Sequence, residues 1–174
     1  KSNGIPVDGN VVILGTGGVA RTMAFEAAKA GAAITIAVRH EDIHMVSALA
    51  CEIMEKTIHP CISTCYIDRL SHVDKTIDLL VNATPLGMYP NVDAMPVGED
   101  IIKNCDAVFD AVYNPLETKL VKTAKALGKK AVGGMTMLVW QAVVSHQIWD
   151  GSVYDVKDIE QLCADASQEL KKKF

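Results

Sequence analysis

The chain has 174 residues, 49% of them hydrophobic and 22% charged, with a formal net charge of −4. That length gives room for one domain with a sizeable core and hardly for two full ones. The acidic balance argues against a broad nucleic-acid or anionic-membrane surface, and no apolar run approaches the roughly 18–20 residues that cross a bilayer.

Residues 1–10, Lys-Ser-Asn-Gly-Ile-Pro-Val-Asp-Gly-Asn, are turn-rich and read as a connector. From residue 11 a run of apolar, mostly β-branched residues predicts a buried strand over 11–14, and Gly15-Thr-Gly-Gly-Val-Ala20 follows at once. A helix is expected over 23–30, with Gly31 at its end, then a second strand over 33–38. A helix over 42–56 places Ile43, Val46, Leu49, Ala50 and Ile53 on one face. Next come a short strand at 61–66, a turn-helix near 70–75 and a strand at 78–82. A loop rich in Pro and Gly occupies 83–98, before a strand at 107–110, a helix at 117–127 and a strand at 130–132. Two helices, 135–149 and 155–172, finish the chain. Strands that are apolar runs alternating with helices predict an α/β fold, a doubly wound parallel sheet of Rossmann-like type with helices on both faces. The dinucleotide-binding domain is taken as 11–174, C-terminal helices included.

Gly15, Gly17 and Ala20 fit the G-x-G-x-x-G/A spacing of a dinucleotide-binding βαβ unit. Gly15 would make the tight turn, Gly17 would let backbone approach a diphosphate, and Ala20 would keep helix close to strand. The other reading is a tight turn that binds nothing. In an open parallel sheet ligands sit outside the carboxyl ends of the strands, and polar residues and glycines follow each of these ends. Arg39, directly after the second strand, suits a ribose 2′-phosphate, since an arginine fork bonds phosphate in bidentate fashion. Glu41 and Asp42 follow it and oppose a phosphate. NADP is therefore the expected cofactor, with NAD as the alternative.

The segment His40-Glu-Asp-Ile-His44 matches H-E-x-x-H, but His40 falls at a strand-to-helix turn rather than on one helical face with His44, so no metal site is expected. The five cysteines are scattered at 51, 61, 65, 105 and 163. Cys61 and Cys65 would lie roughly 13 Å apart along a strand, so a reducing, cytoplasmic setting with mostly buried thiols is expected.

Four ordered motifs carry a family resemblance: Gly15-Thr-Gly-Gly-Val-Ala-Arg21, Asn82-Ala-Thr-Pro-Leu-Gly-Met88, Tyr113-Asn-Pro with Thr118 and Leu120, and Gly134-x-x-Met-Leu-x-x-Gln141. Together they resemble the C-terminal, cofactor-binding domain of shikimate dehydrogenases, including the quinate/shikimate enzymes, over about residues 10–172. The resemblance implies reversible hydride transfer between NADP(H) and 3-dehydroshikimate/shikimate. It implies that Gly15, Thr16, Gly17, Gly18 and Val19 hold the diphosphate and Arg39 the 2′-phosphate. Thr84, Ala111 and Gly134 would line the path to the nicotinamide, and Tyr113 and Gln141 would reach the polyol substrate, shikimate or quinate. Of the family's Asn-Arg-Thr segment only Arg39 is present, because Val38 and His40 replace its neighbours; a second arginine often found four positions on is Ile43.

No catalytic residue is expected in the chain itself. The family's Lys and Asp pair belongs to an N-terminal substrate domain, for which residues 1–10 would be the connector, and the chain alone is expected to be inactive. Segment 135–149 and the last helix are expected to expose apolar surface where that domain docks. A stand-alone nucleotide-binding regulatory module is the competing reading; another dehydrogenase of similar build, acting on a folate, leaves Tyr113 and Gln141 unexplained. Neither nucleic acid nor a membrane is an expected partner.

Overall fold

A computed structural model describes residues 4–58, 60–72 and 76–173. Six strands form one sheet: β1 (Asn10–Leu14), β2 (Ala33–Val38), β3 (Cys61–Tyr66), β4 (Ile77–Asn82), β5 (Cys105–Asp110) and β6 (Lys130–Val132). The helices are α1 (Gly18–Lys29), α2 (Ile43–Lys56), α3 (Glu99–Lys103), α4 (Lys119–Ala126), α5 (Met135–Asp150) and α6 (Val156–Lys173), with short 3-10 turns at His40–Asp42 and Ile67–His72. Spatial order is β3-β2-β1-β4-β5-β6 and every pairing is parallel. The chain therefore winds outward from β1 to β3, returns to β4 beside β1, and winds the other way. The crevice at the carboxyl ends of β1 and β4 is the switch point at which such sheets bind ligands.

Both faces of the sheet are covered, as expected. One face packs Val11, Ile13, Ile34 and Ile36 against the alanines of α1 (Ala20, Ala24, Ala27, Ala28) and against Val46, Leu49 and Ile53 of α2. The other packs Val12, Leu14, Leu80 and Val108 against Leu70, Ile101, Ile102, Leu120 and Ala124. A helix that meets the sheet through alanine sits close to it, and this closeness sets where the glycine turn before α1 stands.

α1 begins at Gly18, five residues before the expected start, because the glycine turn needs only Gly15–Gly17 and Val19 and Ala20 already pack as a first helical turn. α3 lies beyond the predicted loop, in a stretch to which the sequence reading assigns no element, and Ile101 and Ile102 are buried after Gly98. Of the turn-helix expected at 70–75, the 3-10 turn covers the beginning and residues 73–75 lie outside the described residues, as do 1–3 of the expected connector.

The expectation of mostly buried thiols is corrected. Only Cys105 is buried, its thiol pushed up to about 12 by burial. Cys51 and Cys61 are exposed and Cys65 and Cys163 half-buried, since β3 is a sheet edge and Cys51 lies on the outer side of α2.

α5 and α6 pack chiefly on each other around Val139, Val143 and Ile159, a small core separate from the two sheet faces. On α5, Leu138, Trp140, Val144, Ile148 and Trp149 remain exposed, the last two at 76% each. No helix among the described residues is long and apolar enough to cross a membrane.

The alanine face of α1 generates a test. Ala24 is fully buried, and Ala24→Leu adds volume where helix meets sheet. It is expected to cost about 1–3 kcal/mol in urea unfolding, as overpacked cores do.

Candidate functional site

The glycine turn is built by the register of its neighbours. Gly15 N donates to Ala37 O at 3.0 Å and Ala83 N donates to Leu14 O at 3.1 Å, so the sheet's ladders run past the strand ends. Gly15 has φ +99°, and a Cβ there would lie 3.1 Å from Thr84 Cγ2; both reasons favour glycine. Gly17 is extended (φ −68°, ψ −178°) and sits at the N-cap of α1, where no side chain caps the helix. A Cβ added at Gly17 or Gly18 would meet nothing within 4 Å. These two glycines are therefore not required by packing within the chain. The turn leaves open space in front of helix amides that have no carbonyl one turn back, beside the positive end of the helix dipole. That donor set and that space fit an anionic diphosphate. Thr16 and Val19 flank it, half-buried.

On the other side of the switch point, three buried polar residues join the ends of β4 and β5. Asn82 and Asp110 are register partners, each fully buried, and Thr118 is 1% exposed. Asn82 Nδ2 donates to Asp110 Oδ1 (2.9 Å) and to Leu86 O (3.2 Å). Asn82 Oδ1 accepts from Thr84 N (3.1 Å) and Thr84 Oγ1 (2.7 Å). Asp110 Oδ1 also accepts from Val112 N (3.0 Å), and Oδ2 accepts from Thr118 Oγ1 (2.6 Å). Thr118 Oγ1 in turn accepts from Val121 N, capping α4. Burial pushes the Asp110 carboxyl above its ordinary value, opposed by these three donors. The network fixes the loops carrying Thr84 and Ala111. In the sequence Asn82 and Thr118 fall within motifs and Asp110 ends the strand expected at 107–110, with no role assigned to any of the three. The signal is that the apolar stretches Leu79–Val81 and Ala107–Phe109 are each followed at once by a polar residue.

Gly134 belongs to the same loop cluster. Its N donates to Val112 O at 3.0 Å, and a Cβ there would fall 2.1 Å from Ala111 O. Thr84 thus touches the Gly15 turn while Ala111 touches Gly134, bringing the ends of β1, β4, β5 and β6 together. Arg39 stands apart from this cluster, at the end of β2 on the far side of β1. Tyr113, 42% exposed, and Gln141, exposed on α5, both face solvent. His40 lies in the 3-10 turn, its ring stacked on Tyr66 and its Nε2 3.0 Å from Asp68, whereas His44 is already on α2. Among the described residues no three His, Cys, Asp or Glu side chains come together as a metal site. A crevice of about 800 Å³ opens under α6, between Pro115, Lys122, Val132 and Lys171, and includes none of the Gly15–Val19 turn.

Removing the carboxyl in Asp110→Ala leaves three buried donors without an acceptor. The expected cost is about 3 kcal/mol, a fall in Tm of roughly 6–12 °C, with Asp110→Asn milder. Because the folded-state pKa of Asp110 lies above its unfolded value, folding takes up a proton between the two. Its contribution to stability is then greatest below the ordinary carboxylate value and is lost as pH rises through the raised one. The wild-type chain should accordingly lose stability relative to Asp110→Asn as pH is raised from about 4, read by urea unfolding.

No family model matches the chain. The NADP+-dependent shikimate dehydrogenase of Methanocaldococcus jannaschii is 39% identical over 145 residues, which are 83% of this chain and 50% of that protein. A chorismate mutase/shikimate 5-dehydrogenase fusion protein from Clostridium acetobutylicum superposes with a TM-score of 0.81 at 28% identity, over 97% of this chain and 57% of its own. A shikimate dehydrogenase solved in complex with NADP+ gives a TM-score of 0.77 at 37% identity, over 91% and 54%. The chain spans about half the length of such relatives. By the order of its motifs, its parallel six-stranded sheet and these matches, the chain is similar over most of its length to the shikimate dehydrogenases.

Proposed function

We propose that this chain is the NADP-binding half of a shikimate-type dehydrogenase. The observation that carries the reading is the uncapped start of α1 behind Gly17 and Gly18, where added side chains would meet only open space. Amides from Gly15 to Val19 hold the diphosphate, and Arg39 faces the adenosine 2′-phosphate. Thr84, Ala111 and Gly134 line the nicotinamide end, held in place by the Asn82–Asp110–Thr118 network. The bound cofactor supplies the hydride acceptor or donor. Tyr113 and Gln141, both exposed, offer a hydroxyl and an amide to a hydroxyl-rich substrate ring.

Transfer of hydride to or from a hydroxyl-bearing carbon needs a proton donor or acceptor beside it. Asp110 does not serve, because it is sealed from solvent and committed to three donors. The Lys and Asp pair implied by the family resemblance is assigned to the remaining half of its relatives' length, in a substrate domain preceding this one. That domain docks on the exposed apolar side of α5, around Trp140, Val144 and Ile148.

Calorimetric titration of the purified chain with NADP+ is expected to give a Kd between about 1 µM and 1 mM. Gly17→Ala is expected to weaken it at least tenfold while moving Tm by less than about 2 °C, since Ala accepts this backbone and its poorer N-capping is offset by the lower entropy of the unfolded chain. Equal affinity in wild type and Gly17→Ala would remove the diphosphate from the α1 turn. Mixed with NADP+ and shikimate, the chain alone is expected to form no NADPH; turnover at an enzyme's ordinary rate would place the acid–base group within these residues.

A further inference from the structure

The end of β2 carries an arginine that is already occupied. Arg39 Nε and Nη2 both lie 2.9 Å from Asp42 Oδ2, and Nη1 lies 3.1 Å from Glu41 Oε1. All three guanidinium nitrogens thus meet carboxylates of the same turn. The next side chain is committed too, His40 being paired with Asp68 and stacked on Tyr66. Three carboxylates therefore surround one guanidinium and one imidazole where a 2′-phosphate would bring further negative charge.

Asp42 is informative for a second reason. It occupies the N-cap position of α2, where an aspartate ordinarily accepts from the helix's first amides. Here it makes no such bond, and its oxygen goes to Arg39 instead. Its contribution to helix α2 through capping is thereby absent, and its visible partner is the one cation a 2′-phosphate would need.

We propose that Asp42, assisted by Glu41, sets the chain's choice between NADP and NAD by holding the Arg39 fork away from the 2′-phosphate. This rests on the cofactor reading above and sharpens it at the adenosine end. A 2′-phosphate must displace Asp42 from the guanidinium before it can take the fork. A 2′-hydroxyl, which does not need the fork, has no such competitor. The ion pairs are exposed, with Arg39 and Glu41 side chains at 63% and Asp42 at 29%, and such pairs are weak enough for a bidentate phosphate to displace. The outcome is a graded loss of discrimination, not exclusion of NADP.

The test is calorimetry on wild type, Asp42→Asn, Arg39→Ala and the double variant, each titrated separately with NADP+, NAD+, 2′,5′-ADP and 5′-ADP. Asp42→Asn is expected to raise the NADP+ to NAD+ affinity ratio about fivefold, the upper end for one exposed ion pair, and the 2′,5′-ADP to 5′-ADP ratio likewise. Arg39→Ala is expected to lower both ratios about tenfold, as loss of a charged hydrogen bond does. In that background Asp42→Asn should shift them less than twofold, the coupling a double-mutant cycle isolates. An unmoved ratio in Asp42→Asn, or an equal shift without Arg39, overturns the proposal while the cofactor reading stands. Failure of every variant to bind any of the four nucleotides overturns the cofactor reading and takes this proposal with it.

Discussion

Asn82 and Asp110 end neighbouring strands at the same register, and the bond between their buried side chains fixes the mouth of the switch-point crevice. Neither residue is free to do anything else. Asn82 uses its amide nitrogen to tie β4 to β5 and its oxygen to fold the following loop back through Thr84. Asp110 uses its second oxygen to seat Thr118, and Thr118 starts α4. One polar cluster therefore sets two loops and a helix. Each deletion leaves buried donors unmatched, which costs more than the bonds themselves contribute. Opposite it, the Gly15 turn is placed by ladder bonds to β2 and β4 and by the alanine face of α1. The crevice has one wall held by polar contacts and one held by close packing.

That asymmetry explains which parts were legible in the sequence. Backbone-driven features were readable: the glycine spacing, the apolar strands, the alternation with helices and hence the doubly wound sheet. Each is a local pattern with one physical cause. Side-chain pairings across strands were not, because the partners Asn82 and Asp110 are 28 residues apart and nothing local says that their strands adjoin. The early start of α1 was missed because residues 18–22 begin with glycine and carry no strong apolar period. α3 was missed because five residues are too few for periodicity to appear. Cysteine burial was misjudged because a strand's composition does not reveal that it lies at a sheet edge, as β3 does. The order of the four motifs carried the family, and the matches to relatives agree with it.

The end of β2 is where local sequence and family pattern diverge. A single arginine after an apolar strand invites a phosphate, yet Glu41 and Asp42 stand within reach and take it. Charge opposite in sign to a desired ligand's partner is a competitor whose strength depends on exposure. With these side chains largely in solvent, the competition stays within the small range of surface ion pairs. The balance belongs to the few residues after β2 and is independent of the polar cluster at the far side of the crevice, so a change there would leave the loops carrying Thr84 and Ala111 undisturbed.

α5 connects the two halves of the proposed reading. It begins at Gly134, pressed against Ala111 so tightly that no Cβ fits, and its start is therefore fixed to the polar cluster through the β5 loop. Its far end carries Ile148 and Trp149 in solvent, and its small core with α6 is separate from the sheet. In the proposed reading, a helix tied at one end to the Ala111 loop and apolar along the side that a second domain covers transmits that domain's position to the substrate. Gln141 lies between, seven residues from Gly134, about 10 Å along the helix. A substrate bridging the two domains would meet that amide only if docking holds α5 at its observed angle. Closure of the two halves and orientation of the substrate would then be one event, which is how an enzyme with its proton donor on one domain and its hydride carrier on the other brings both to the same carbon.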